Sequence, residues 1–143
     1  MINIYHAFII QGIMSLLLNI IWLFLGGLVL AFEWFVAGII STILIVTIPF
    51  ARGCFEMAAS CLTPFGKDIV LKTEYGEPPR PISAFFWIIF LGIWLAISHI
   101  IAGILQCITI IGIPVGIQNF KLAKIAFNPY KYTLVDRRFT PKK

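Results

Sequence analysis

Residues 22–64 read WLFLGGLVLAFEWFVAGIISTILIVTIPFARGCFEMAASCLTP, and residues 87–129 read WIIFLGIWLAISHIIAGILQCITIIGIPVGIQNFKLAKIAFNP. The two stretches align without a gap at an offset of 65 positions. Trp22 meets Trp87, Gly27 meets Gly92, Gly38 meets Gly103 and Ile48-Pro49 meets Ile113-Pro114. Phe55, Ala58 and Pro64 meet Phe120, Ala123 and Pro129. Self-similarity of this length makes the chain two tandem copies of one unit. Both copies are almost wholly apolar, so the unit belongs in a membrane. The first copy covers about 16–66 and the second about 83–131. A soluble loop (67–82) separates them, and a basic tail (132–143) follows.

The 143 residues suffice for one domain. Hydrophobic residues make up 60% of the chain and charged residues only 12%, half the usual ~25%. Mean hydropathy is +0.99. A soluble protein of this composition could not cover its own surface. The charges are also segregated: up to residue 51 the only one is Glu33, and all 11 Lys and Arg follow. The net charge of +5 is therefore a bias at the membrane flank. It is not a nucleic-acid surface, which would interleave basic residues with exposed aromatics in a soluble domain. The N-terminus lacks the basic region and cleavage site of a secretory signal. Three cysteines, an odd number without metal-ligand spacing, suit a reduced compartment or a lipid-facing core. No metal and no cofactor are expected.

The apolar run 7–50 is long enough for two membrane helices at ~20 residues each. Glu33 and Trp34 suggest a hairpin turn at 31–35, because a charge and an indole are cheapest at the interface. The second run, 82–117, carries Ser98-His99 at the equivalent place. Two helices of about 16 residues reach only ~24 Å, against a hydrocarbon core of ~30 Å. This hairpin either thins the bilayer or enters and leaves from one side. The positive-inside rule puts both termini and the central loop in the cytoplasm and turns the hairpin tips outward. The two copies then share one topology, related by an axis along the membrane normal. After each hairpin, Pro49 and Pro114 restart the chain as amphipathic helices, 51–63 and 116–128, on the cytoplasmic surface. Short strands or a small hairpin are expected at 72–77 and in the tail after Tyr132. The fold class is therefore an all-α membrane protein. It has four transmembrane or partly re-entrant helices in two hairpins, each followed by an amphipathic cytoplasmic helix.

The run from Cys107 to Ala123, CITIIGIPVGIQNFKLA, resembles the YccF family of bacterial inner-membrane proteins. So do Asn19-x-x-Trp22 with Gly26-Gly27, and Thr47-Ile48-Pro49-Phe50 closing on Pro64-Phe65-Gly66. The resemblance covers nearly the whole chain and implies tandem domains in the bacterial inner membrane. It implies no activity, because none is assigned to the family. The second copy departs from the first: Ala84 replaces Asn19, and Pro129-Tyr130-Lys131 replaces Pro64-Phe65-Gly66. Any site therefore need not be two-fold.

Four residue sets are the candidates for function. Asn19, Thr47 and Gln106 are polar groups in apolar helices, able to line a path or to bond between helices, as is Gln118. Pro49, Gly112, Pro114 and Gly116 could gate or hinge, although redirecting the chain is their plainer role. Glu33 and His99 are intramembrane or interfacial titratable groups. Lys121, Lys124, Arg137 and Arg138 would meet anionic headgroups or a partner. Trp22, Trp34, Trp87 and Trp94 are anchors or packing residues, and Cys54 and Cys61 are small core groups. No paired buried carboxylates, nucleophilic triad or phosphate-cradling loop is present, so no enzyme is expected. The leading expectation is a homo-oligomeric channel or passive transporter. The alternative is a non-conducting scaffold or accessory subunit that binds anionic lipid or a partner protein through its basic face.

Overall fold

The computed structural model describes residues 2–140; Lys142 and Lys143 of the tail lie outside them. Helix α1 (Ile2–Trp22) runs through a π-helical turn (Leu23–Gly27) into α2 (Leu28–Ile43). Within that turn Gly26 stands at φ 135°, a backbone state that side chains disfavour, and the helix breaks there. The first apolar run thus holds two helices, but they part at Gly26 and not at 31–35. Helix α2 passes straight through Glu33 and Trp34. After α3 (Ile48–Leu62), α4 (Pro81–Trp87) leads through a second π turn into α5 (Ile93–Cys107). Helix α5 likewise passes straight through Ser98-His99. Neither expected turn contains a proline or glycine to break a helix, and both Trp34 and His99 are drawn into the core, each 0% exposed.

The reversals fall later, at 44–47 and 108–111, just before the Ile-Pro pairs. Helices α3 and α6 (Gly112–Phe127) start at those reversals and fold back. Trp22 donates to the Cys61 carbonyl (2.6 Å) while Gly38 faces Phe55, so the two arms are antiparallel. The second copy repeats this: Trp87 donates to the Ala126 carbonyl (2.9 Å) and Gly103 faces Phe120. The segments read as separate surface helices are therefore the return arms of two helical hairpins. The repeated residues gain a physical reason. A Cβ on Gly38 would lie 2.8 Å from the Phe55 ring, and one on Gly103 2.9 Å from the Phe120 ring. Gly27 and Gly92 likewise make room for the indoles of Trp22 and Trp87.

Strands β1 (Lys67–Leu71) and β2 (Tyr132–Asp136) occupy equivalent positions in the two copies and pair antiparallel. Ile69 is opposite Leu134, its own repeat partner. Trp34 and His99, also 65 apart, touch each other. Two self-paired positions define a local two-fold axis that runs from the sheet into the helices, so both hairpins point away from the sheet. The repeated unit thus extends into the segments read as loop and tail. Residues 72–75 form a 3₁₀ turn closed by Gly76 at φ 77°, not a hairpin.

The core lies along this axis. Trp34 stacks on Trp87 at 6.1 Å, and Phe50 and Tyr130 pack edge-on against Trp87. Of the four tryptophans only Trp94 is exposed. Aliphatic and aromatic side chains cover the outside. Residues Asn3–Ile43 and Pro81–Cys107 are long and apolar enough to cross a membrane.

Candidate functional site

A chain of hydrogen bonds crosses the interior where the two copies meet. The Trp34 indole donates to His99 Nε2 (2.8 Å). An indole only donates, so Nε2 must accept and the proton sits on Nδ1. Nδ1 then donates to Asn119 Oδ1 (2.9 Å). Asn119 Nδ2 donates to Gln106 Oε1 (2.6 Å), and Gln106 Nε2 donates to the Leu25 carbonyl (2.8 Å). That carbonyl stands beside Gly26, the residue that makes the break. The relay joins α2, α5, α6 and the α1–α2 break, and every donor points the same way. The first copy has Ser41 and Cys54 at the positions of Gln106 and Asn119, and these are too short to continue such a chain.

The other candidates are also turned inward. Asn19 forms a two-way clamp on the backbone of Phe65, donating at 3.3 Å and accepting at 2.9 Å. Thr47 is buried and donates to the Ser41 and Leu44 carbonyls. Gln118 donates to the Pro64 carbonyl (3.0 Å). Pro49 is the second residue of α3 and Pro114 the third of α6, so both belong to first turns. Gly112 and Gly116 are close-packing positions: a Cβ on either would strike the backbone of α5. His99, expected at an outer tip, lies in the core. Glu33 is half-buried near the end of α3, where its charge acts on Cys61. It therefore sits on the sheet side of the hairpin, not at the tip.

The basic candidates gather at the sheet end. Lys124 lies over the Tyr132 ring (4.6 Å). Arg137 pairs with Asp68 (3.2 Å) and Arg138 with Asp136 (2.6 Å). The hydrogen bonds from Arg138 hold the Asp136 carboxyl down at about 2. Two grooves open beside the sheet, about 300 and 310 Å³ in volume. They are repeat counterparts: Pro49, Gly53 and Glu56 line the first, and Pro114, Gln118 and Lys121 the second. Among the described residues no three His, Cys, Asp or Glu side chains group as metal ligands.

Sequence reading found Gln106 and His99 but missed Asn119 and the Leu25 carbonyl. The signal for the pairing was the 65-residue offset between Trp34 and His99. The signal for the last link was the lone Gly-Gly in an apolar helix, at Gly26-Gly27.

The model of the inner membrane component domain YccF matches this chain twice, over residues 17–67 and 82–131. Inner membrane protein YccF of Escherichia coli (strain K12) is 40% identical over 124 residues, 81% of this chain and 84% of that protein. The protein of the same name from Shigella flexneri matches to the same extent. No solved structure matches the chain.

Proposed function

The chain belongs to the family of the inner membrane component domain YccF, and from that premise we propose that it is a non-conducting scaffold of the bacterial inner membrane. Its two hairpins enter and leave through the cytoplasmic leaflet, and its basic sheet end meets anionic headgroups. The observation that carries this reading is the state of the polar groups. Asn19, Thr47, Gln106 and Gln118 are all spent on bonds within the chain. A path for ions or solutes needs polar groups facing it, and these four are engaged within the chain instead.

One-sided insertion follows from the positions of the charges. Arg52 comes four residues into α3, about 6 Å past its start at the reversal, and Lys121 about 14 Å into α6. Were the tips to emerge on the far face of a ~30 Å core, Lys121 would sit near its middle, at a cost of a few kcal/mol, while Arg52 could still reach the far surface. If the tips stop inside the bilayer, the same cations reach the cytoplasmic surface, Arg52 by extending its side chain. The tips suit hydrocarbon: Ile45 is 82% and Ile110 87% exposed, and neither reversal carries a charge. Thr47 and Thr109 satisfy backbone groups at the reversals, as a non-helical segment in lipid requires. Helix α1 is about 32 Å long, and its polar stripe of Gln11, Ser15 and Asn19 faces the sheet end.

Reconstituted into phosphatidylglycerol–phosphatidylcholine liposomes, the protein is expected to release trapped ions or small solutes no faster than protein-free liposomes do. A flux that Gln106→Leu or Asn19→Leu changes, with assembly intact, would overturn this reading in favour of a shared pore.

A further inference from the structure

The two grooves beside the sheet are built from equivalent elements but have diverged in charge. In the first, Arg52 is neutralised by Glu56 (2.8 Å) and Lys72 by Glu77 (3.6 Å). In the second, Ile117 stands where the first has Arg52, and Lys121 where it has Glu56. The second groove is lined by Lys67, Lys121 and Arg137 and by no acid. Among the described residues neither Lys67 nor Lys121 has an acid within ion-pair distance, and Arg137 shares its charge with Asp68. The first groove sets two carboxylates among Arg52, Lys72 and Arg80, whereas the second presents cations without an acid in its lining, so an anion is favoured more in the second.

The walls of the second groove say what kind of anion fits. Met14 and Leu18 of α1, with Gln11 and Ser15, form one side, and Ile117 and Gln118 of α6 the other. Apolar side chains of α1 continue away from it, exposed along the helix. A cationic rim over a cleft of mixed amide, hydroxyl and apolar side chains, opening onto the exposed aliphatic residues of α1, complements a phosphate ester whose glycerol esters meet the polar groups and whose acyl chains run along the helix. A free phosphate would use the rim and leave the cleft empty.

We propose that this groove binds the headgroup phosphate of one anionic phospholipid, with Lys67, Lys121 and Arg137 around the phosphate and the acyl chains against α1 and α6. This deepens the scaffold reading and rests on its orientation of the sheet end toward the cytoplasmic leaflet. The bound lipid also has a mechanical role. Within the chain, α1 is held through its last two turns, by Ser15 against Gly66, the Asn19 clamp and the Trp22 bond. A lipid wedged between α1 and α6 ties the next turns down.

The test is native mass spectrometry of the intact chain released from micelles containing phosphatidylglycerol, phosphatidylcholine or inorganic phosphate. One phosphatidylglycerol is expected to be retained, at least tenfold more than phosphatidylcholine, and excess inorganic phosphate should not displace it. Lys67→Gln with Lys121→Gln should cut retention about tenfold. Arg52→Gln, in the first groove, should leave it unchanged. Circular dichroism should show the double variant folded. Equal retention by the double variant and the parent would overturn the proposal. Displacement by phosphate alone would overturn the lipid assignment. Liposome flux from a protein that still retains one phosphatidylglycerol would overturn the scaffold reading and leave the groove standing.

Discussion

His99 can hold its place with only one tautomer. Its Nε2 faces an indole N–H, so a second ring proton would set two donors against each other at 2.8 Å. The relay from Trp34 to the Leu25 carbonyl therefore has a fixed polarity, and losing one member strands the next. Asn119→Leu leaves the His99 N–H and the Gln106 carbonyl oxygen without their partner in an apolar interior. The expected cost is about 1–3 kcal/mol, read as a lower unfolding midpoint in detergent. Ser41→Ala, at the repeat position of Gln106, should cost less. The exposed pair at the sheet end behaves differently. Asp136 is held at about 2, below its ordinary 3.8, by Arg138. Its contribution to stability is present above pH 4 and fades as pH falls through 2. Arg138→Gln should return the carboxyl toward 4 in an NMR titration of the Asp136 side chain. His99 and Gln106 could be picked from the sequence as polar groups in apolar helices, but their partners could not. A hydrogen bond between residues 65 apart depends on how two copies face each other, and no local pattern encodes that.

The elements were legible where composition decides them and misread where a single charge was given weight. The repeated Trp, Gly and Phe positions are the contacts that zip each hairpin, and they stood in the sequence as identities. The turn did not. Glu33 drew it to 31–35, because a carboxylate in an apolar run suggests an interface. Glu33 is indeed near the polar end, but at the base of the hairpin, and α2 continues for ten residues beyond it. The Ile-Pro pairs were the better signal, since proline is at home in the first turn of a helix and here begins the return arm. Gly38→Ala tests the zip. The added methyl meets the Phe55 ring at 2.8 Å and should cost about 1–3 kcal/mol in thermal unfolding. Phe55→Leu in the same chain should recover part of that loss, which a purely backbone effect of alanine would not allow.

At the scale of the whole molecule, two copies of one unit close on each other around a pseudo-two-fold axis. Their strands complete one small sheet, Trp34 meets its counterpart His99, and the tips of both hairpins end in bare aliphatic residues. Tandem copies of one unit were visible from the 65-residue offset. The closing of their polar groups upon one another was not, because it depends on the divergence of Ser41 from Gln106 and of Cys54 from Asn119. Such a molecule has a largely apolar exterior and one basic end.

The claim most exposed to test is that the hairpins enter and leave from one side. Cysteines placed at the tips, Ile45→Cys and Ile110→Cys in a background with Cys54, Cys61 and Cys107 changed to alanine, can be offered a membrane-impermeant maleimide from outside intact cells. Neither should react, while a cysteine at Arg138 should react once the cytoplasmic face is opened. Rapid labelling of either tip from outside would mean that the hairpins span the bilayer, and it would contradict the one-sided scaffold.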